Sequence, residues 1–168
     1  DGGAIFCSGM GATADINRCT VAVNSEDAVH AENLGEVNLS KSIVAYTSDG
    51  RAVSCGFLPF PGLATLSCCD VYGNDDGDWV GCIADQLGEN DNFSANPQFA
   101  FPYQYDFRLR PSSPCLGPNS PGDCWYIGAP ADVYESDVVV MACTADGSGD
   151  VPTIAAGVQV AVPGDTIL

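Results

Sequence analysis

The chain carries one histidine, His30, and sets twenty-two acidic residues against five cations. Those two facts bound the chemistry. Serine-based hydrolysis needs a nucleophile, an imidazole and an orienting acid within hydrogen-bond reach, and no spacing around His30 assembles a serine and an aspartate. His30 therefore reads as a solvated wall residue. A glycosidase needs two carboxyls held across a sugar bond on facing elements, whereas Asp75, Asp76 and Asp78 crowd into one loop, "GNDDGD". A lyase would set calcium-binding acids beside a basic residue, and Arg108 and Arg110 lie elsewhere. They alternate in "DFRLRP", which reads as a strand with its polar face outward. The expectation is a chain that is not an enzyme.

Other polar clusters suggest simpler uses. "NDDGD" and "DGSGD" place oxygens around glycines, which makes Asp75, Asp76, Asp78, Asp146 and Asp150 candidate calcium ligands, although neither loop has the twelve-residue spacing of an EF-hand. Beyond that calcium, no cofactor is expected. Asn38-Leu39-Ser40 and Asn92-Phe93-Ser94 are sequons, so Asn38 and Asn92 are candidate glycan acceptors. Trp79 and Trp125, with Tyr103, Tyr105 and Tyr126, would make a sugar-stacking surface or pack the end of a core. Nine cysteines point to an oxidising compartment, and their spacing fits no zinc site. Cys115 and Cys124 bracket the turn-rich "LGPNSPGD", and a disulfide is expected between them. Cys82 follows the acidic loop and would return to Cys68 or Cys69. Neighbouring strand residues face opposite sides, and Cys69 shares the inward column of Cys19, so Cys68 is the expected partner. Cys7 and Cys55 fall two repeats apart, too far to bond. Cys143 completes an odd total, either free or linked to a neighbouring copy.

These groups need elements to hold them, and internal repetition supplies the elements. Ala4, Ala28 and Ala52 recur at a spacing of 24, each followed by an aliphatic residue, Ile5, Val29 or Val53. Further columns form from Ile16, Leu39 and Leu66, from Cys19, Ser42 and Cys69, and from Val21, Val44 and Val71. Two short alternating apolar runs per unit imply two strands and two turns repeating as a solenoid. One such unit cannot bury its inward face, but stacked units can. Residues 1–134 are therefore expected to form an all-β parallel solenoid with irregular later rungs. The alternative is an antiparallel β-sandwich, which has no reason to repeat residue types in register. With a formal charge of −17, the chain has almost nothing to neutralise phosphate, and a nucleic-acid partner is excluded. No segment is apolar enough for membrane insertion, and no secretory leader precedes Asp1, which implies removal or a fragment.

The unit "DINRCTVAVNS", the following "NLSKSIVAYTS" and the stretch from "LSCCDVYGNDDGDWVGC" to "CWYIGAP" resemble the terminal rungs of right-handed parallel β-helix repeat proteins of bacterial surfaces and secretions. In that family, segments such as "NFSANPQF", "DFRLRPSSPC" and "IGAP" close the solenoid. The resemblance implies an extracellular or cell-surface place, a bacterial source, and a family that includes polysaccharide-cleaving enzymes, adhesins and members without assigned activity. Residues 135–168 are expected to form a separate strand, helix and strand, in which "DGSGDVPTIAAGVQVAVPGDTIL" is similar to the segment that opens such a helix: a short amphipathic capping helix, the Pro163-Gly164-Asp165 turn and a first strand.

Here that opening piece comes last. The order suggests either one period of a longer tandem protein or a subunit whose tail docks on the open first rung of the next copy. In the second case the contact is heterologous and makes a filament. Ala4, Ile5 and Phe6 would then receive Ile154, Val158, Thr166, Ile167 and Leu168. The expected partners are copies of the chain itself and possible glycans. The rival reading is a carbohydrate-binding or carbohydrate-cleaving solenoid.

Overall fold

The structure is a computed structural model that describes residues 3–135, 140–141, 152, 160–163 and 165–167. Three repeats dominate it. The first contributes β1 (Ile5–Ser8), β2 (Thr13–Asn17) and β3 (Thr20–Ala22). The second contributes β4 (Val29–Glu32), β5 (Glu36–Ser40) and β6 (Ile43–Ala45), and the third β7 (Val53–Ser54), β8 (Leu63–Ser67) and β9 (Asp70–Tyr72). Equivalent strands pair in parallel, giving sheets ordered β1-β4-β7, β2-β5-β8 and β3-β6-β9. The sequence columns are the structural register: Ile5 faces Val29 and Val29 faces Val53, Ile16 faces Leu39 and Leu39 faces Leu66, Val21 faces Val44 and Val44 faces Val71. The chain is thus all-β and built on parallel sheets. Each repeat holds three strands, not the two expected, because the second apolar run is broken by a sharp corner.

That corner is made by a residue with positive φ: Arg18 at 52°, Lys41 at 49° and Cys68 at 53°. A left-handed residue reverses the alternation without a long loop. Each corner N–H then donates to the next repeat, Arg18 to Ser40 O, Lys41 to Ser67 O and Cys68 to Asn90 O. Inside, Val29, Val37, Leu39, Val44, Val53, Leu66 and Val71 are essentially without solvent contact. Each such side chain contributes about 1.5–3 kcal/mol.

Residues 73–93 form an irregular fourth layer on the third repeat. Ala52 N–H donates to Gly77 O, and Val71 N–H to Phe93 O. Where no strand is available, side chains stand in for one. Gln86 accepts from Leu66 N–H and donates to Ala64 O, while Asn92 accepts from Cys69 N–H and donates to Leu66 O. A 3-10 turn at Gly81–Ile83 sets Ile83 into the core below.

The segment expected to close the stack does something else. The antiparallel pair β10 (Phe99–Phe101) and β11 (Asp106–Leu109), with the chain to Tyr134, packs a second apolar cluster onto the outward face of the third sheet. Phe99, Leu109, Leu116 and Ile127 lie there against Ile43, Ala45 and Tyr46. At Gly128, which has φ 96°, a Cβ would collide with Ile43 Cδ1. Glycine lets its N–H reach Lys41 O at 2.8 Å. Near the C-terminus β12 (Val140–Met141) pairs in parallel with β13 (Thr166–Ile167). The expected capping helix falls largely on residues outside the described ones, as do Ile154, Val158, Leu168, Asp146, Asp150 and Cys143.

Candidate functional site

The first repeat supplies the most distinctive surface. Its alternation turns Ile5, Ala14 and Ile16 inward, as in the later repeats, yet these residues and Ala12 are only half-buried, whereas Ala64 and Leu66 are 1% and 0% exposed. The cause is positional. Among the described residues β1, β2 and β3 each pair on one side only, so there three parallel edges run without a strand partner beside an exposed slice of core. Of the residues expected to receive a tail, Ile5 lies at this end and Ala4 is exposed beside it. Phe6 does not face the slice, since it points outward and is 54% exposed.

The tail itself is anchored. Arg110 and Asp165 form an ion pair at 2.6 Å, with both side chains wholly out of solvent, and Asp165 also accepts from Val162 N–H. Val160 is buried in the second cluster, where Asn96 donates to its carbonyl. This overturns the outward polar face expected of "DFRLRP": Arg108 does face solvent and pairs with Asp106, but Arg110 turns into the interior to meet an acid 55 residues away. Thr166 and Ile167 pair with Val140 and Met141 of the same chain.

On the outward face of the first sheet, register brings together groups that spacing alone kept apart. His30 is the partner of Phe6 on one side and Ser54 on the other. Its ring stacks on Phe6 at 5.5 Å, its Nδ1 lies 2.6 Å from Ser54 Oγ, and Glu32 lies 3.5 Å from Nε2. Asp27 approaches the same Nδ1 at 3.8 Å. Burial pushes the Asp27 carboxyl up, but hydrogen bonds from Ser54 and from Arg51 N–H outweigh it, and the group ionises below its usual value. A serine, the histidine and an aspartate do therefore meet, contrary to expectation. Ser54 and Asp27 both lie on the Nδ1 side, whereas a triad places nucleophile and orienting acid on opposite nitrogens; the acid on the Nε2 side is Glu32, at 3.5 Å. The cluster stands beside cavities of about 420 and 260 Å³ as a hydrogen-bonded pillar.

The comparisons with protein-family models, with curated proteins and with solved structures found no match.

The remaining candidates resolve residue by residue. Asp78 accepts from Gly73 N–H, Asn74 N–H and Asn74 Nδ2, and so staples its own loop. Asp75 and Asp76 are exposed, and among the described residues the three acids do not converge on a metal-sized site. Asn92 is 3% exposed with its amide committed to the covering layer, which removes it as a glycan acceptor, while Asn38 lies half-buried and donates to Asp15. Trp79 packs half-buried against the core, whereas Trp125 is 68% exposed. Both expected disulfides are replaced. Cys55 bonds Cys82 and Cys68 bonds Cys124, because Cys82 sits over the β7 corner and Cys124 returns to the corner of the third repeat. Cys115 turns inward and donates to Asp70 at 3.2 Å.

Sequence reasoning missed Asp70 and Arg110. Asp70 is fully buried and accepts from Ala95 N–H and the Cys115 thiol. Burial pushes its carboxyl up to about 7. A signal existed, since Asp70 stands in the column of Thr20 and Ile43, on a face that should have been solvated unless something covered it.

Proposed function

We propose that this chain is an extracellular structural protein, a right-handed parallel β-helix that assembles head to tail by laying the C-terminal segment of one copy on the open first repeat of the next. The observation that carries this reading is the half-exposed Ile5, Ala12, Ala14 and Ile16 beneath three parallel edges that no strand among the described residues pairs. Parallel strands are rarely left uncovered, and an open edge is a template for another strand. The partner that fits is one more parallel layer. The β12–β13 pair already has parallel polarity, and the Arg110–Asp165 pair fixes that segment to its own copy. A heterologous contact of this kind extends into a fibre.

The two disulfides suit an oxidising compartment. A charge of −17 keeps flanks apart while the apolar end remains the contact. No catalytic role is proposed, nor any nucleic-acid or membrane partner. A second reading, glycan binding, is favoured by exposed Trp125, which shares a cavity of about 330 Å³ with Arg18, Tyr126, Pro130 and Ala131. Negative-stain electron microscopy of the full chain beside a version lacking residues 151–168 tests the assembly. Fibres from the first and single particles from the second are expected. Single particles from both would remove the assembly reading and leave loss of glycan binding in Trp125→Ala as the test of the other.

A further inference from the structure

Three groups meet at the corner of the third repeat that nothing in their sequence spacing connects. Cys68 Sγ, Cys124 Sγ and a carboxylate oxygen of Asp91 lie within 4.8 Å of one another. Cys68 occupies the positive-φ corner, Asp91 the corresponding place one layer on with φ 58°, and Cys68 N–H donates to Asn90 O at 2.9 Å. Cys124 arrives from the segment packed on the third sheet. Gly122 completes the arrangement, because a Cβ there would collide with the Asp91 carboxylate. That carboxylate is exposed and takes part in no ion pair among the described residues.

We infer that, once the Cys68–Cys124 disulfide is reduced, the two sulfurs and Asp91 form a binding site for a thiophilic divalent cation, zinc above all. The donor set decides the class of ion: two thiolates and one carboxylate suit zinc, whereas calcium takes oxygen ligands only. Geometry allows it. Two sulfurs about 2.3 Å from a tetrahedral ion stand roughly 3.8 Å apart, and the Cα atoms are already 5.5 Å apart, so a small opening of the two side chains suffices. Asp91 takes the third position and water the fourth. The other disulfide, Cys55–Cys82, has no third ligand of this kind among the described residues.

The chemistry balances with a phosphine as reductant. The phosphine attacks one sulfur and is hydrolysed to its oxide, water supplying the oxygen, and the two cysteines leave as thiols carrying the protons. The ion then displaces one proton from each thiol. The corner and the packed segment stay linked in both states, by a sulfur–sulfur bond in the oxidised chain and by a sulfur–metal–sulfur bridge in the reduced one.

The test uses the full chain, reduced anaerobically with a phosphine, then alkylated with and without added zinc ion, each cysteine being followed by mass spectrometry. Zinc is expected to slow alkylation of Cys68 and Cys124 by about tenfold or more, to leave Cys55 and Cys82 unchanged, and to lose most of that protection in Asp91→Ala. Cobalt ion should give a sulfur-to-metal charge-transfer band in the reduced chain and none in the oxidised chain. Alkylation that ignores zinc, protection spread equally over Cys55, Cys68, Cys82 and Cys124, or a cobalt signal unchanged in Cys68→Ser would overturn the inference.

Discussion

The two ends of the sheet stack are made of the same repeat and treated in opposite ways. At the third repeat, Gln86, Asn92 and Phe93 satisfy the outer edge, and Ala64, Leu66 and Val71 beneath them are at most 1% exposed. At the first repeat nothing among the described residues lies beyond β1, β2 and β3, and the equivalent Ile5, Ala14 and Ile16 stay half-exposed. Stacking alone therefore does not complete a repeat. One end is covered by a false neighbour built of side chains and irregular backbone, while nothing among the described residues covers the other.

The contrast can be broken most severely at the anchored tail. Removing one partner of a wholly buried ion pair leaves the other charge stranded. Asp165→Ala is expected to lower unfolding stability by about 3–5 kcal/mol, read from urea denaturation. A direct comparison of the ends comes next. Leu66→Ala, at the covered end, should cost about 2–5 kcal/mol, and Ile16→Ala, in the same column at the open end, clearly less, because a half-exposed side chain has less burial to lose. Equal losses would mean that the first repeat is not open in solution.

Asp70 gives a prediction in pH. Its carboxyl, pushed up to about 7 by burial, keeps its proton in the folded chain after the unfolded chain has released it near 3.8. The unfolded state then binds fewer protons, so stability falls as pH rises between those values and is flat above about 7. Asp70→Asn should flatten that slope, since an amide oxygen can still accept from Ala95 N–H. The smallest effect belongs to the false strand: Asn92→Ala leaves Cys69 N–H and Leu66 O short of a partner and should cost about 1–3 kcal/mol.

Much of the fold could be read from periodicity. The columns headed by Ile5, Ile16 and Val21 became register partners because parallel stacking repeats residue types in register, and that is a local signal. Non-local choices were not legible. Nothing in a short loop tells Cys115 to turn toward Asp70 instead of Cys124, and nothing near "DFRLRP" announces that Arg110 meets an acid 55 residues away. The cluster around His30 was hidden for the same reason, since Phe6, His30 and Ser54 are neighbours only across the ladder. At the open end, of the expected Ala4, Ile5 and Phe6 only Ile5 faces the slice, Ala4 being exposed beside it and Phe6 pointing to the outer face, and Ala12 and Ala14 were not read from the sequence.

The most direct test is sedimentation velocity of the full chain over a concentration series beside Ile16→Lys, with circular dichroism confirming that the variant keeps its β-sheet. A charge at this half-exposed position interrupts the apolar slice that a neighbouring layer would cover. Species that grow with concentration in the parent chain and a single slow boundary in the variant are the expected result. A single slow boundary in both, at every concentration, would contradict the claim that the first repeat is a docking end.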